Sequence, residues 1–167
     1  MAHGFPLVVG HAEQLRDHHR GQLRAEVLDE VEPVAADAEL LPNAVDELLR
    51  YEAPSPVQGR WTTTETEFHG TTIPEDSKVL LLTGSAGRDE RKYPDGDRFD
   101  IHRAIDTHVS FGYGIHFCIG AALARMEGRI ALEEVLARFP QWQVDHDNAN
   151  RLHTSTVRGW INVPVRV

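Results

Sequence analysis

Cys118 is the only cysteine in the 167-residue sequence, and it stands inside FGYGIHFCIG, Phe111 to Gly120. A thiol with an ordinary pKa of about 8.5 needs roughly 2 kcal/mol to ionise at neutral pH. Two influences offset that cost. One is a helix start, where unpaired N–H groups and the positive end of the dipole favour an anion. The other is a bound metal ion, which removes the proton outright. Gly112 and Gly114 allow a tight turn with positive φ ahead of the sulfur. Gly120 lets the following helix approach something flat and bulky, and Phe111 can cover the sulfur from behind. His116 and Cys118 read as alternating on an extended segment, both aimed at one shared ligand.

Other readings of the same residues compete. A lone cysteine at an apolar helix start is ordinarily a small buried hydrophobe. Zinc would want a second cysteine and a C-x-x-C pair, and neither is present. Phe117 stands where a dinucleotide loop would need its third glycine. A cysteine nucleophile would have His116 as its base, but a ligand held between the two explains their spacing better than a proton transfer.

The elements that must position this loop are legible on either side of it. HAEQLRDHHRGQLRAEVLDEVEP reads as a polar helix with a weak stripe at Leu15, Leu23, Val27 and Val31. LPNAVDELLRYEAP reads as a second helix, with Pro42 in its first turn, Val45, Leu48 and Leu49 as its apolar face, and Pro54 ending it. The middle is extended in character: VQGRWTTT, TEFHGTTI, and two strands joined at Pro-Glu-Asp-Ser in TTIPEDSKVLLLT. GRDERKYPDGDRFDIHR is charged and turn-rich, so an irregular connection is expected. From Gly120 a long helix follows, with Leu123, Met126, Ile130, Val135 and Phe139 on one side and Pro140 as its stop. The tail alternates at Ile161, Val163, Val165 and Val167, with Pro164 restricting that strand to an edge. The fold class expected is α+β, in one domain over 1–167.

Seventeen basic against 26 acidic residues give a net charge of −9, which argues against nucleic acid or an anionic membrane as partner. A single cysteine cannot form an internal disulfide and suits a reducing cytoplasm. The short run PLVVG is too brief for a signal or a membrane span.

The pattern Phe111-x-x-Gly114-x-His116-x-Cys118-x-Gly120 resembles the haem-binding loop of the cytochromes P-450, the haem-thiolate monooxygenases. By that resemblance the cofactor is haem b, iron protoporphyrin IX, with Cys118 as axial thiolate and His116 reaching a propionate. Phe111, Gly112, Gly114 and Gly120 then belong to the cofactor-binding loop. Glu47-x-x-Arg50 resembles the family's E-x-x-R helix, although such i,i+3 pairs are common on helix surfaces. Arg98 in YPDGDRFD matches the arginine that completes a structural Glu-Arg-Arg network, and Arg60 corresponds to a propionate-binding arginine.

The resemblance covers residues 39–167, follows the soluble bacterial-type branch, and matches residues 1–38 poorly. It implies the C-terminal part of the family's fold, insertion of one oxygen atom of O2 into an apolar small molecule, and a ferredoxin or flavoprotein electron donor. No catalytic residue beyond the haem ligand is identified. The distal helix with its acid–Thr pair is not found; Ala86-Gly87-Arg88-Asp89 is a decoy. The isolated chain is therefore expected to turn over poorly and to lack an N-terminal half. The alternatives are a non-catalytic haem-binding module and a non-functional gene fragment. Val57-Gln58 and Thr154 to Val157 fall where family members line the substrate pocket, with loop or strand packing as the equal alternative. His18, His19, His69, His102, His108, His146 and His153 read as surface residues.

Overall fold

Leu41–Tyr51 (α1) is a helix whose first turn holds Pro42 and whose last turn is closed by the Glu52 amide on the Leu48 carbonyl. In the computed structural model, which describes Val34, residues 37–154 and residues 156–167, a short 3-10 turn at Ala38–Leu40 leads into it. The polar helix expected before Pro33, and His18 and His19 with it, lie outside the described residues.

Two sides of α1 are buried for different reasons. Leu41, Ala44, Val45 and Tyr51 are apolar and buried, and Leu48 packs against the core half-buried. Glu47 and Arg50 are also buried, on the side facing the irregular connection that follows the strands. The core joins Val34, Leu41, Ala44 and Tyr51 to Phe99, Ile101 and Leu136.

The extended middle forms two nested antiparallel pairs. Gln58–Trp61 (β1) pairs with Lys78–Leu81 (β4), with Arg60 opposite Val79. Thr66–Phe68 (β2) pairs with Thr71–Ile73 (β3) inside that loop. The strands flanking Pro74 to Ser77 are thus consecutive without pairing to each other. Thr83–Ala86 (α2) is one further helical turn, absent from the sequence expectation.

The connection after α2 has no regular structure, as its composition indicates, yet it is anchored. Tyr93, Phe99 and Ile101 are buried, and the Tyr51 and Phe99 rings meet at 5.6 Å. A Cβ on Gly87 would lie 2.3 Å from the Arg50 carbonyl oxygen, so any larger residue there would push the connection off α1. Arg88 closes the same corner, donating to the Tyr51 carbonyl at 2.9 Å with its guanidinium 3.9 Å from the Tyr51 ring.

Ala121–Arg138 (α3) packs on α1, and Gly128 permits the approach: a Cβ there would sit 3.3 Å from Val45 Cγ1. The expected stripe on this helix is corrected. At 100° per residue, Leu123, Met126 and Ile130 lie opposite Val135 and Phe139. The inward side is Ala121, Gly128, Leu132 and Leu136, while Leu123, Met126 and Ile130 are exposed. Both sides of α3 are apolar, so periodicity alone could not choose between them.

The tail also differs from expectation. Pro164 separates Trp160–Asn162 (β7) from Val165–Arg166 (β8), and these pair with Asn150–Arg151 (β6) and Gln143–Val144 (β5) respectively. Ile161, Val163, Val165 and Val167 are therefore not one strand, and all four are exposed. No helix among the described residues is long and apolar enough to cross a membrane.

Candidate functional site

The site rests on a buried ion network. Both side chains of the Glu47–Arg50 pair are 0% exposed. Arg50 Nε donates to Glu47 Oε2 at 2.6 Å and Nη2 to Oε1 at 2.7 Å, a two-point clasp made possible by their i,i+3 spacing. The remaining Arg50 donors reach the carbonyls of Gly87 at 2.5 Å, Gly96 at 2.8 Å and Arg98 at 3.1 Å. All five guanidinium N–H groups are used, so this helix reads out the path of a segment that has no hydrogen-bond ladder of its own.

The third charged member is Arg103, where the sequence reading had Arg98. Arg98 has an exposed side chain and contributes its backbone carbonyl. Arg103 is 10% exposed and donates through Nε to Glu47 Oε1 at 3.3 Å. Its other nitrogens hold the carbonyls of Pro94 at 2.6 Å and of Asp95 and Arg98 at 3.0 Å. A signal for this existed. Phe99 and Ile101 alternate inward, and continuing that period of two in FDIHR puts Arg103 on their side and Arg98 on the other. Asn43, also not singled out, ties α1 to the same stretch through the carbonyls of Ile101 and Arg103.

From this base the chain rises into the cysteine loop. Ser110 Oγ donates to the Leu49 carbonyl at 2.6 Å, satisfying a carbonyl of the last turn of α1. The Gly112 amide then turns back to the Val109 carbonyl. Gly112 has φ +76° and a Cβ there would meet the His116 carbonyl at 3.0 Å, so a side chain is excluded on both counts. Gly114, at φ +62°, starts a single 3-10 turn, Gly114–His116. The loop closes where the Cys118 amide donates to the Phe111 carbonyl at 2.8 Å, and Cys118 stands three residues before α3 begins.

This geometry corrects one expectation. His116 and Cys118 do not alternate along an extended segment, because His116 lies in the 3-10 turn that positive φ at Gly114 sets up. The loop's outer face is apolar and bare: Tyr113, Ile115, Phe117 and Ile119 are exposed, Ile115 by 98%. Cys118 is exposed among them. A Cβ on Gly114 would meet nothing within 4 Å, and one on Gly120 would meet only the Cys118 sulfur, at 3.8 Å. The Phe111 ring sits against His108, Phe117 and the Arg125 guanidinium.

Arg60 is half-buried on β1 and donates to the carbonyl of its neighbour Gly59 at 2.7 Å. It has no acidic partner among the described residues. Ser55 bridges the two segments singled out as pocket candidates, accepting from Gln58 Nε2 at 2.7 Å and donating to the Thr156 carbonyl at 3.2 Å.

A sequence model of the family described as Cytochrome P450 matches residues 26–164. The chain belongs to the cytochrome P450 family. The match begins upstream of Glu39, where the motifs first become readable. The chain is 44% identical over 153 residues to cytochrome P450 130 of Mycobacterium tuberculosis, covering 90% of this chain and 36% of that protein. It is 42% identical over 141 residues to 6-deoxyerythronolide B hydroxylase of Saccharopolyspora erythraea, covering 83% and 35%. Among solved structures, the cytochrome P450 enzyme CYP109B1 from Bacillus subtilis superposes with a TM-score of 0.80 at 37% identity, covering 85% of this chain and 39% of the other. The chain thus spans little more than a third of the length of these relatives, and its mixed helix-and-sheet architecture is a part of the P450 fold. Haem is the cofactor that membership in this family implies.

One histidine read as a surface residue is not. The His108 side chain is 2% exposed, between Asp46 of α1 and Arg125 of α3. Burial pushes its imidazole below the ordinary value, while the hydrogen bond it donates to the Asp46 carboxylate pulls the other way. The unfolded chain, with an ordinary pKa of about 6.5, therefore takes up this proton first as pH falls. Stability from neutral His108 is complete above about pH 6.5 and is lost as pH drops through the folded-state value. Between about pH 7.5 and 5.5 the melting temperature should fall further in the native sequence than in His108→Gln. Parallel melting curves in pH would contradict this.

Proposed function

We propose that the chain forms the cysteine-bearing side of the haem site in a haem-thiolate monooxygenase that inserts one oxygen atom of O2 into an apolar small molecule. The observation that carries this is the loop: one exposed thiol on a glycine-shaped turn, ringed by bare apolar side chains, beside space that only glycines leave open. Among the described residues no group of three or more His, Cys, Asp or Glu could hold a metal ion. A macrocycle that brings its own ligands to the metal suits a single protein thiolate. When bound, haem supplies the oxygen chemistry, and a thiolate ligand favours O–O cleavage.

The residues of this chain then divide the remaining work. Cys118 would ligate the haem iron, and the loop from Phe111 to Gly120 would present it, with Gly112, Gly114 and Gly120 keeping the backbone close. Arg60 and His116 are the partners of the two propionates, since carboxylates leaving water need charge-assisted donors. Glu47, Arg50 and Arg103 hold the scaffold and take no part in chemistry. A ferredoxin or flavoprotein supplies electrons, and a further segment or second chain completes the pocket around the substrate. The unpaired thiol suits a reducing cytoplasm.

Haemin titrated into the chain should bind one-to-one. Arg60→Ala and His116→Ala should each speed haem loss about tenfold, corresponding to one charge-assisted bond, while the thiolate spectrum stays in place. Unchanged off-rates in both variants would remove the propionate roles, and failure to bind haemin at all would overturn the reading.

A further inference from the structure

Behind the cysteine loop lies a polar cluster that the haem reading does not use. Asp46 of α1 accepts from Arg125 Nε of α3 at 2.6 Å. His108 Nε2 lies 3.3 Å from Asp46 Oδ1 and 3.3 Å from Arg125 Nη2. The tautomer follows from the third neighbour. The Ser110 amide can only donate, and it points at His108 Nδ1 at 3.3 Å, so Nδ1 is the acceptor and Nε2 carries the proton. Nε2–H therefore donates to Asp46, and Arg125 Nη2 is packed against it without a bond between them.

The cluster leads to the sulfur-bearing residue in two steps. The Arg125 guanidinium carbon lies 4.8 Å from the centre of the Phe111 ring, within reach of a cation–π attraction. The Phe111 carbonyl accepts the Cys118 amide at 2.8 Å, and this is the bond that closes the loop. We propose that Arg125, clamped by Asp46 and backed by His108, is a positioning residue for Cys118: it holds Phe111, and Phe111 holds the Cys118 amide. Arg125 is seven residues after Cys118, so the first turns of α3 fold back to fix the loop that precedes them. The ion pair with Asp46 gives the guanidinium one orientation, where a lone exposed arginine would have many.

The order imposed on Cys118 is a property of the haem-free chain, and only its importance for ligation rests on the function proposed above. The full chain without haem gives two readouts: hydrogen exchange of the Cys118 amide, and alkylation of its thiol, which is the sole thiol present. Arg125→Ala should accelerate both about two- to tenfold, and Arg125→Lys should recover most of the loss. The Asp100 amide, bound to Glu47 Oε1 at 2.9 Å, is the internal reference and should exchange at its native rate. Equal acceleration at Asp100 would reduce Arg125 to general support of the fold, and unchanged rates at Cys118 would overturn the proposal outright.

Should Arg125→Ala fail to fold, Phe111→Leu keeps an apolar side chain and removes the ring. It should accelerate exchange at Cys118 and leave the Asp100 amide at its native rate; unchanged exchange at Cys118 would refute the coupling. With haemin added, the fraction of the chain showing thiolate ligation should fall in Arg125→Ala and recover in Arg125→Lys. Lack of haem binding by the native sequence would count against the haem reading and leave the exchange result standing.

Discussion

Glu47→Ala should leave the chain insoluble or unfolded, at a cost of about 3–5 kcal/mol. The size of the effect comes from what stays behind. Arg50 would keep its charge in a fully buried position with only carbonyl partners, and Arg103 would lose its one carboxylate contact. A small domain has a total stability of about 5–15 kcal/mol, so the loss takes a large share of it. Two companion substitutions make the expectation sharper. Arg103→Ala should also be strongly destabilising, because it removes a donor from the carbonyls of Pro94, Asp95 and Arg98 as well as from Glu47. Arg98→Ala should change the melting temperature little, because its role is played by a backbone carbonyl that alanine retains. A soluble Glu47→Ala chain with native melting behaviour, or an Arg98→Ala chain as damaged as Arg103→Ala, would refute this account of the network.

The contrast between those two arginines marks how far the sequence could be read. The Glu47–Arg50 pair and the cysteine loop were legible because each is local: an i,i+3 spacing on a helix, and glycines at fixed offsets from a rare residue. Arg98 and Arg103 stand five residues apart in an irregular segment, where no helical or strand period announces which side faces in. Only the alternation of Phe99 and Ile101 separates them, and two apolar residues in a charged, turn-rich run are a short signal. His108 was misread for a related reason. Its partners, Asp46 and Arg125, come from helices 62 and 17 residues away, and no local pattern in THVSFG signals that a polar ring is buried there.

The helices show the same limit from the apolar side. The ends of α1 and α3 follow from Pro42, Gly120 and Pro140, which act within one turn of the chain. The inward side of α3 was not recoverable, since Leu123, Met126 and Ile130 make a face as apolar as the one that Leu132 and Leu136 bury against α1. The nesting of β2 and β3 inside β1 and β4 escaped for want of register information. Four short strands of similar composition pair in more than one way, and the turns at His69-Gly70 and Pro74 to Ser77 do not by themselves choose. Tertiary contacts decide such questions, whereas the residue pattern of the cysteine loop is local.

Cys118→Ala should abolish the red-shifted Soret band expected of the haem-loaded chain when it is reduced and exposed to carbon monoxide. That band belongs to thiolate-ligated haem, and the sequence holds no second sulfur ligand except methionine to replace it. On the proposed roles the effect is all-or-none because the ligand itself would be removed, whereas Arg60 and His116 would act only on the edge of the group. A bound metal ion removes the proton from a coordinating thiol outright. A second readout does not depend on the spectrum. In the haem-free chain the exposed sulfur should react readily with an alkylating reagent, and one equivalent of haemin should protect it. Alkylation first should in turn prevent the thiolate spectrum from forming. A native-sequence spectrum typical of histidine ligation, or alkylation unaffected by haemin, would show that Cys118 is not the ligand. In that event the exposed apolar residues Ile115, Phe117 and Ile119 would need a different planar or apolar occupant, and the glycines around them would need another reason to be there.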